Sequence, residues 1–254
     1  AYWNVRGFKF VLSDRNNPLF MNILVTGGAG FIGSHVVDIL CEHGHTVTVF
    51  DNLSSGRKSN VHHGATLLEG DVTNYDFLRD AFDQSRPEIV YHFAAQINVR
   101  KSVEDPIDDA RVNIMASLKL IQLSYEYGVR KFIFSSSGGA IYGDTETRPT
   151  DEHHAEQPAS PYGIAKLTID KYLAFYSTVH GMKYASLRYA NVYGPRQNPH
   201  GEAGVIAVFL EKMLNNHNPV INGDGEQTRD YVFVEDVARA NIAALEHMDD
   251  VGVF

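Results

Sequence analysis

The sequence predicts an α/β fold built on a doubly wound parallel sheet, and three observations carry that expectation. Short runs rich in aliphatic and β-branched residues alternate with stretches of helical period, the pattern of βαβ units. The first run leads directly into Thr26-Gly27-Gly28-Ala29-Gly30-Phe31-Ile32-Gly33 and then a helical stretch. The second run ends in Asp51, 18 residues beyond Gly33, where a dinucleotide-binding unit of the Rossmann type places its acid.

The elements follow in order. Asn22-Ile23-Leu24-Val25 reads as the first strand and Phe31 to Glu42 as the first helix. Thr46 to Phe50 is the second strand, closed by Asp51, and Ala65 to Glu69 the third, closed by Gly70-Asp71. A helix around Asp76 to Gln84 precedes a fourth strand, Glu88 to Phe93. A helix from about Asp108 to Tyr127 precedes a fifth, Arg130 to Phe134, and Lys183 to Tyr189 is the sixth. Right-handed crossovers place ligands at the carboxyl ends of these strands. After Tyr193 the pattern changes to loop chemistry, Gly194 to Gly201, which opens a small substrate-covering lobe. A helix from about Ala203 to Asn215 and a short strand, Pro219 to Gly223, belong to that lobe. Val234 to Glu246 is a helix returning to the sheet. The expected organisation is a non-native or disordered leader (1–20), a dinucleotide-binding domain (21–193), the start of a substrate lobe (194–228) and a truncated return to the sheet (229–254). Met21 reads as the natural start, and Val251 to Phe254 as a strand cut in mid-course.

Tyr162-Gly163-Ile164-Ala165-Lys166 carries the chemistry. Positions i and i+4 share a helix face, so the lysine lies beside the phenol. A free tyrosine, with a pKa of about 10, is a poor base near neutrality. A neighbouring cation favours the phenolate, and lowering the pKa by roughly 3 units takes about 4 kcal/mol. A close lysine plus an oxidised nicotinamide supplies it, so the pair reads as a base that removes an alcohol proton while hydride leaves to NAD. The glycines of the first turn permit close approach of backbone to a pyrophosphate. Asp51 suits ribose hydroxyls and repels a 2′-phosphate, which favours NAD over NADP; Arg57 and Lys58 read as a solvated loop. Asp71 either reaches the adenine amino group or is a strand-end turn residue. Ser135-Ser136-Ser137 ends strand five, where one hydroxyl, chosen as Ser137, relays the substrate proton to Tyr162.

Composition narrows the alternatives. The 254 residues are 44% hydrophobic and 21% charged, with a net charge of -9. That balance fits a globular protein and argues against a general nucleic-acid or anionic-membrane binder. No apolar run reaches the roughly 20 residues that span a bilayer. One cysteine, Cys41, excludes an intrachain disulfide framework and a cysteine zinc site; it reads as a buried thiol, in keeping with a reducing cytoplasm. Arg188, Arg196 and Arg229 are the candidate sites for an anionic ligand. His92 reads as a satisfied core histidine, and His153-His154 with Asp151 and Glu152 as a loop rather than a metal site.

Together these pieces resemble the extended short-chain dehydrogenase/reductase family, from Met21 to the end of the chain. Within it, Gly138 to Gly143 (GGAIYG) and Pro195 to Val205 (PRQNPHGEAGV) are most similar to the nucleotide-sugar 4-epimerases. The resemblance implies an NAD-dependent enzyme with a UDP-sugar substrate, acting in the cytoplasm as a homodimer, without nucleic-acid, membrane or metal partners. It places Gly27, Gly30, Phe31, Ile32 and Gly33 at the pyrophosphate, Asp51 and Asn52 at the ribose, and Asp71 and Val72 at adenine. Phe93, Ala94, Ala95 and Gln96 line the nicotinamide side with Tyr162 and Lys166. Asn191 and Arg229 bind the substrate diphosphate, with Gly204, Val205, Val220 and Asn222 near the uridine. Relatives set the catalytic hydroxyl four residues before the tyrosine of the Tyr-Gly pair; that position is Gly138 here, so the register stays open between Ser136 and Ser137. A second diphosphate-binding arginine and the size gate for N-acetylated sugars are expected beyond Phe254.

Related dehydratases and decarboxylases carry an acid just after the active-site hydroxyl. Gly138-Gly139-Ala140 follow it here, which favours 4-epimerisation of a UDP-hexose. A dehydratase or decarboxylase using Asp144 or Glu146, and a non-catalytic NAD-binding module, are the competing readings. The family's dimer helices correspond to stretches holding Leu118, Leu120, Ile121, Leu123, Tyr125, Leu167, Ile169, Tyr172 and Leu173, an apolar set that suits either a partner or the sheet.

Overall fold

The computed structural model describes residues 4–5, 8–9, 20–145, 149–200 and 204–254. The expected leader lies largely outside these, apart from a two-stranded antiparallel pairing of Asn4–Val5 with Phe8–Lys9. Strand β1 (Asn22–Thr26) leads into α1 (Phe31–Glu42), followed by β2 (Thr46–Asp51), β3 (Thr66–Glu69), α2 (Tyr75–Ser85) and β4 (Ile89–His92). Two short helices, α3 (Val99–Glu104) and α4 (Pro106–Ala110), precede a π turn (Arg111–Ala116) and α5 (Ser117–Glu126). Then come β5 (Lys131–Ser137), α6 (Gly138–Ile141), α7 (Pro161–His180), β6 (Lys183–Tyr189) and β7 (Asn191–Tyr193). The chain finishes with α8 (Val205–Leu214), β8 (Tyr231–Phe233), α9 (Val234–Glu246) and β9 (Gly252–Val253).

Seven strands make one parallel sheet in the order β3-β2-β1-β4-β5-β6-β9. This is a doubly wound Rossmann sheet, and its winding reverses between β1 and β4, the switch point at which such sheets bind ligands. Both faces are covered, so the inner strands are continuously apolar rather than alternating. Leu24 joins a core layer with Leu78, Phe82, Leu120, Ile169 and Leu173 of α2, α5 and α7. Its neighbours Ile23 and Val25 point the other way, into a layer with Val36, Val37, Leu40, Ala238 and Leu245 of α1 and α9.

Three expectations need correction. The helix expected over 108–127 starts at Pro106, with Asp105 capping the Asp108 N–H, and is interrupted by the π turn. Pro219 to Gly223 forms no strand: among the described residues none pairs with it, and Val220 and Ile221 are 61% and 62% exposed. The fifth strand runs on past its expected end at Phe134 to Ser137, so that the serines 135–137 close it. The apolar set on α5 and α7 divides in two: Leu120, Ile121, Leu123, Ile169 and Leu173 pack on the sheet, whereas Tyr125 and Tyr172 are exposed beside Phe175 and Val179.

The C-terminal return is anchored by a lysine absent from the list of candidates. Lys131, fully buried at the start of β5, donates to the carbonyls of His247 and Asp250, each at 2.7 Å. Burial pulls its pKa down to about 8. Beyond that turn, β9 pairs with β6.

Candidate active site

A groove of about 680 Å3 crosses the carboxyl ends of the central strands. The glycine turn, Asp51, Asn52, Asp71, Val72, the 93–96 run, Ser135 to Ser137, Tyr162 and Lys166 all line it. Its floor depends on two glycines. Gly27 has φ +72°, and a Cβ there would meet the Ala94 nitrogen at 2.5 Å. A Cβ on Gly33 would meet the Gly27 carbonyl oxygen at 2.4 Å. Side chains at either position would push apart the turn, α1 and the end of β4. The α1 N-cap, Gly30, makes no side-chain cap, and no acid occupies the first turn. The amides at that helix start thus face the groove with the positive end of the helix dipole, as an anionic pyrophosphate requires.

Two carboxylates shape the far end. Asp51 accepts hydrogen bonds from the Ala29 (3.0 Å) and Leu53 (2.8 Å) amides, which fixes it against the glycine turn. Asp71 accepts from the Thr73 amide (2.8 Å) and hydroxyl (2.7 Å) and from Asn52 Nδ2 (2.9 Å). Desolvation pushes its pKa up, but these hydrogen bonds and nearby Arg111 outweigh it, and the net shift is downward. Asp71 is thus both a turn residue and a groove residue.

Tyr162 and Lys166 lie in the first turns of α7. Ser160 caps the helix by accepting from the Gly163 amide at 3.1 Å, and Pro161 supplies a helix start that needs no N–H donor. The orphan amide of Tyr162 donates to Ser102 Oγ of α3 at 3.3 Å. Lys166 is buried; its Nζ donates to the Ser135 carbonyl at 2.8 Å and lies 5.6 Å from the centre of the Tyr162 ring. The lysine is therefore beside the phenol, as the spacing requires, but its ammonium is bound to backbone. The phenol pKa is raised, by desolvation first and by Asp109 second. The expected lowering counts on an oxidised nicotinamide as well as on the lysine; in the protein alone, burial sets the direction.

The serines separate by strand alternation. Ser136 is buried and donates to Asp170 Oδ2 at 3.4 Å. Ser137 ends β5 at the α6 N-cap, and its hydroxyl makes no hydrogen bond among the described residues.

Behind the groove runs a continuous buried polar chain. His92 contacts Thr26 Oγ1 at 2.7 Å through Nδ1 and Ser117 Oγ at 2.8 Å through Nε2. The single Ser117 hydroxyl proton goes to the Asn113 carbonyl, so His92 donates from Nε2 and Thr26 donates to Nδ1. Burial, with Lys166 nearby, lowers the His92 pKa to about 3. It is a satisfied core histidine. Among the described residues no group of three or more His, Cys, Asp or Glu is placed to hold a metal ion.

The three candidate arginines have different surroundings. Arg188 is enclosed: its guanidinium pairs with Asp170 (2.9 Å) and Glu156 (2.5 Å) and donates to Tyr142 Oη (2.8 Å), so it has no capacity left for a ligand. Arg196, at φ +67°, pairs with Asp38 of α1 at 2.7 Å and shapes the loop. Arg229 is exposed and lines a second, wider cavity of about 1090 Å3 with Asn191, Gly204, Val205, Val220 and Asn222. The two cavities meet at Asn191, Val192 and Gly204. Of the acids considered for an elimination, Asp144 is exposed and Glu146 lies outside the described residues.

Sequence reasoning missed Ser102 and Asp109. The Asp105-Pro106 helix-start signal points to α4, but nothing in the local pattern shows that Asp109 turns inward.

The family model described as "NAD dependent epimerase/dehydratase family" matches residues 23–253. The UDP-glucose 4-epimerase of Thermotoga maritima, solved with UDP-glucose, is 55% identical, with a TM-score of 0.87 over 89% of this chain and 74% of that one. The UDP-glucose 4-epimerase of Thermus thermophilus, solved with NAD, is 45% identical (TM-score 0.87; 92% and 76% covered). The UDP-N-acetylglucosamine 4-epimerase of Methanobrevibacter ruminantium, solved with UDP-N-acetylmuramic acid, is 40% identical (TM-score 0.86; 92% and 75% covered).

Proposed function

Since the chain belongs to the NAD dependent epimerase/dehydratase family, we propose that it epimerises carbon 4 of a UDP-hexose, interconverting UDP-glucose and UDP-galactose through a 4-keto sugar. NAD is its cofactor, and the cradle fits it: Gly27 and Gly33 leave room for a backbone approach, the α1 start faces an anion, and Asp51 suits a free ribose 2′-hydroxyl. When bound, NAD would supply hydride acceptance and return, and its oxidised ring would add positive charge to the groove that Tyr162 lines.

The observation that carries the reading is the junction, at Asn191, Val192 and Gly204, of the wider cavity with the groove that Tyr162 and Ser137 line. One cavity offers the dinucleotide cradle; the other offers Asn191 and Arg229, a directed cationic donor for a diphosphate. A sugar tethered by its diphosphate there reaches the tyrosine with its ring free to turn. Tyr162 accepts the 4-hydroxyl proton, directly or through Ser137, whose hydroxyl is uncommitted whereas that of Ser136 is held by Asp170. Lys166 supplies positive charge next to the phenolate. Rotation of the keto sugar about its diphosphate linkage presents the opposite face for hydride return, and Tyr162 gives the proton back. Gly138, Gly139 and Ala140 offer no acid for elimination.

The Tyr162→Phe variant tests this reading. It should retain NAD and lose turnover by about 10²–10⁴-fold; undiminished turnover would remove Tyr162 from the mechanism. We further propose a homodimer through the exposed Tyr125, Tyr172, Phe175 and Val179 of α5 and α7. A Phe175→Asp variant should then sediment as a monomer.

A further inference from the structure

Asp109 of α4 is a carboxylate with 2% exposure, two residues ahead of the π turn. Its Oδ1 accepts from Asn113 Nδ2 at 2.8 Å and from Gln96 Nε2 at 3.0 Å. Asn113 in turn holds the Gln96 backbone at both ends, accepting from its amide at 2.9 Å and donating to its carbonyl at 2.8 Å. The remaining Gln96 groups are closed off by Asn98, with Gln96 Oε1 accepting from the Asn98 amide at 2.6 Å. The 93–98 wall of the groove is thus pinned to one buried carboxylate. Asp109 and Asn113, four residues apart, share a helix face and converge on Gln96 where α4 runs into the π turn; such turns cluster at functional sites.

Helices α3 and α4 pack on α7, and Ser102 of α3 holds the Tyr162 amide. We propose that Asp109 is a positioning residue for the Tyr162–Lys166 pair: it fixes the groove wall through Gln96 and, after Asp170, adds buried negative charge to the surroundings of the Lys166 ammonium. This rests on the reading of Tyr162 as the base. Buried carboxylates with only neutral donors are costly: desolvation raises the Asp109 pKa, against the hydrogen bonds from Gln96 and Asn113 and the charge of Lys166. The charged and titratable groups around the pair are Asp109 from α4, Asp170 from α7 itself, and neutral His92 from β4; Asp108 is the further acid near Asp109. Asp109 opposes loss of a proton from both Tyr162 and Lys166. Removing its charge therefore favours the first deprotonation of the coupled pair, whichever group carries it.

The test is Asp109→Asn, which preserves an acceptor for Gln96 and Asn113 but not the charge. Two readings are made on full-length protein: the acid limb of the turnover-pH profile with UDP-glucose, and the titration of the Lys166 side chain by NMR of ¹³Cε-labelled lysine, assigned with Lys166→Met. Both midpoints should fall by at least about half a pH unit, a change of about 0.7 kcal/mol in the pair, and Asp109→Glu should return them toward the wild-type values. Asp109→Ser, also uncharged, repeats the measurement should the asparagine protein not fold. Unmoved midpoints would overturn the proposal even if activity falls. The lysine titration needs no turnover, so a protein without epimerase activity would defeat the proposed function and still leave the Asp109 charge measurable.

Discussion

Lys166 Nζ donates to the Ser135 carbonyl at 2.8 Å while lying 5.6 Å from the centre of the Tyr162 ring. The last residues of β5 therefore hold the ammonium, and the phenol is its neighbour rather than its partner. Desolvation brings the lysine pKa down to about 8, and the same desolvation raises that of the tyrosine. On the proposed reading of Tyr162 as the base, further positive charge is what favours its phenolate.

The NAD-free protein should consequently hold Tyr162 as a neutral phenol well past neutrality. Ultraviolet difference titration of wild type against Tyr162→Phe should show no ionisation of this residue below pH 10, the ordinary tyrosine midpoint. A transition near pH 7 in the absence of NAD would contradict the electrostatics described here.

Gly33→Ala should weaken NAD binding. The added Cβ would sit 2.4 Å from the Gly27 oxygen, and backbone cannot yield as a flexible side chain does. Overpacking of this kind costs about 1–3 kcal/mol, a loss of roughly 5- to 150-fold in affinity if expressed in the bound state. Calorimetric titration with NAD measures it.

His92 ties stability to pH. Its pKa is about 3 in the folded protein against 6.5 when exposed. The folded value is depressed, so the unfolded chain binds the proton first. Stability is fully present above pH 6.5 and declines as pH falls toward 3, by roughly 4–5 kcal/mol in total. Urea melts between pH 7 and pH 4 should show a shallower decline for His92→Asn than for wild type.

Lys131→Met should loosen the C-terminal return. The Asp250 carbonyl loses its lysine donor and the His247 carbonyl keeps only the Asp250 amide; hydrogen bonds to a charged donor contribute about 1.5–3 kcal/mol each. Hydrogen exchange should rise first at the Phe254 amide, which is bonded to the Ser186 carbonyl.

The βαβ order and the glycine turn were legible because both are local: a strand's composition, a helix's period and a turn's glycines sit within a dozen residues. Tyr162 and Lys166 were legible for the same reason. Arg188 was misjudged because its partners Asp170, Glu156 and Tyr142 are 18, 32 and 46 residues away, and only the fold enclosing them decides whether an arginine is free. The segment Pro219 to Gly223 had a strand's composition without a strand to pair with. The direction of the Tyr162 pKa depends on burial and on Asp109, neither of which spacing reveals.

The most direct measurement is mass spectrometry and NMR of the nucleotide sugar after incubation of the protein with NAD and UDP-glucose. A product of unchanged mass with its carbon 4 configuration inverted is the predicted result. A product lighter by water or carbon dioxide would contradict 4-epimerisation and assign the site to an elimination or a decarboxylation.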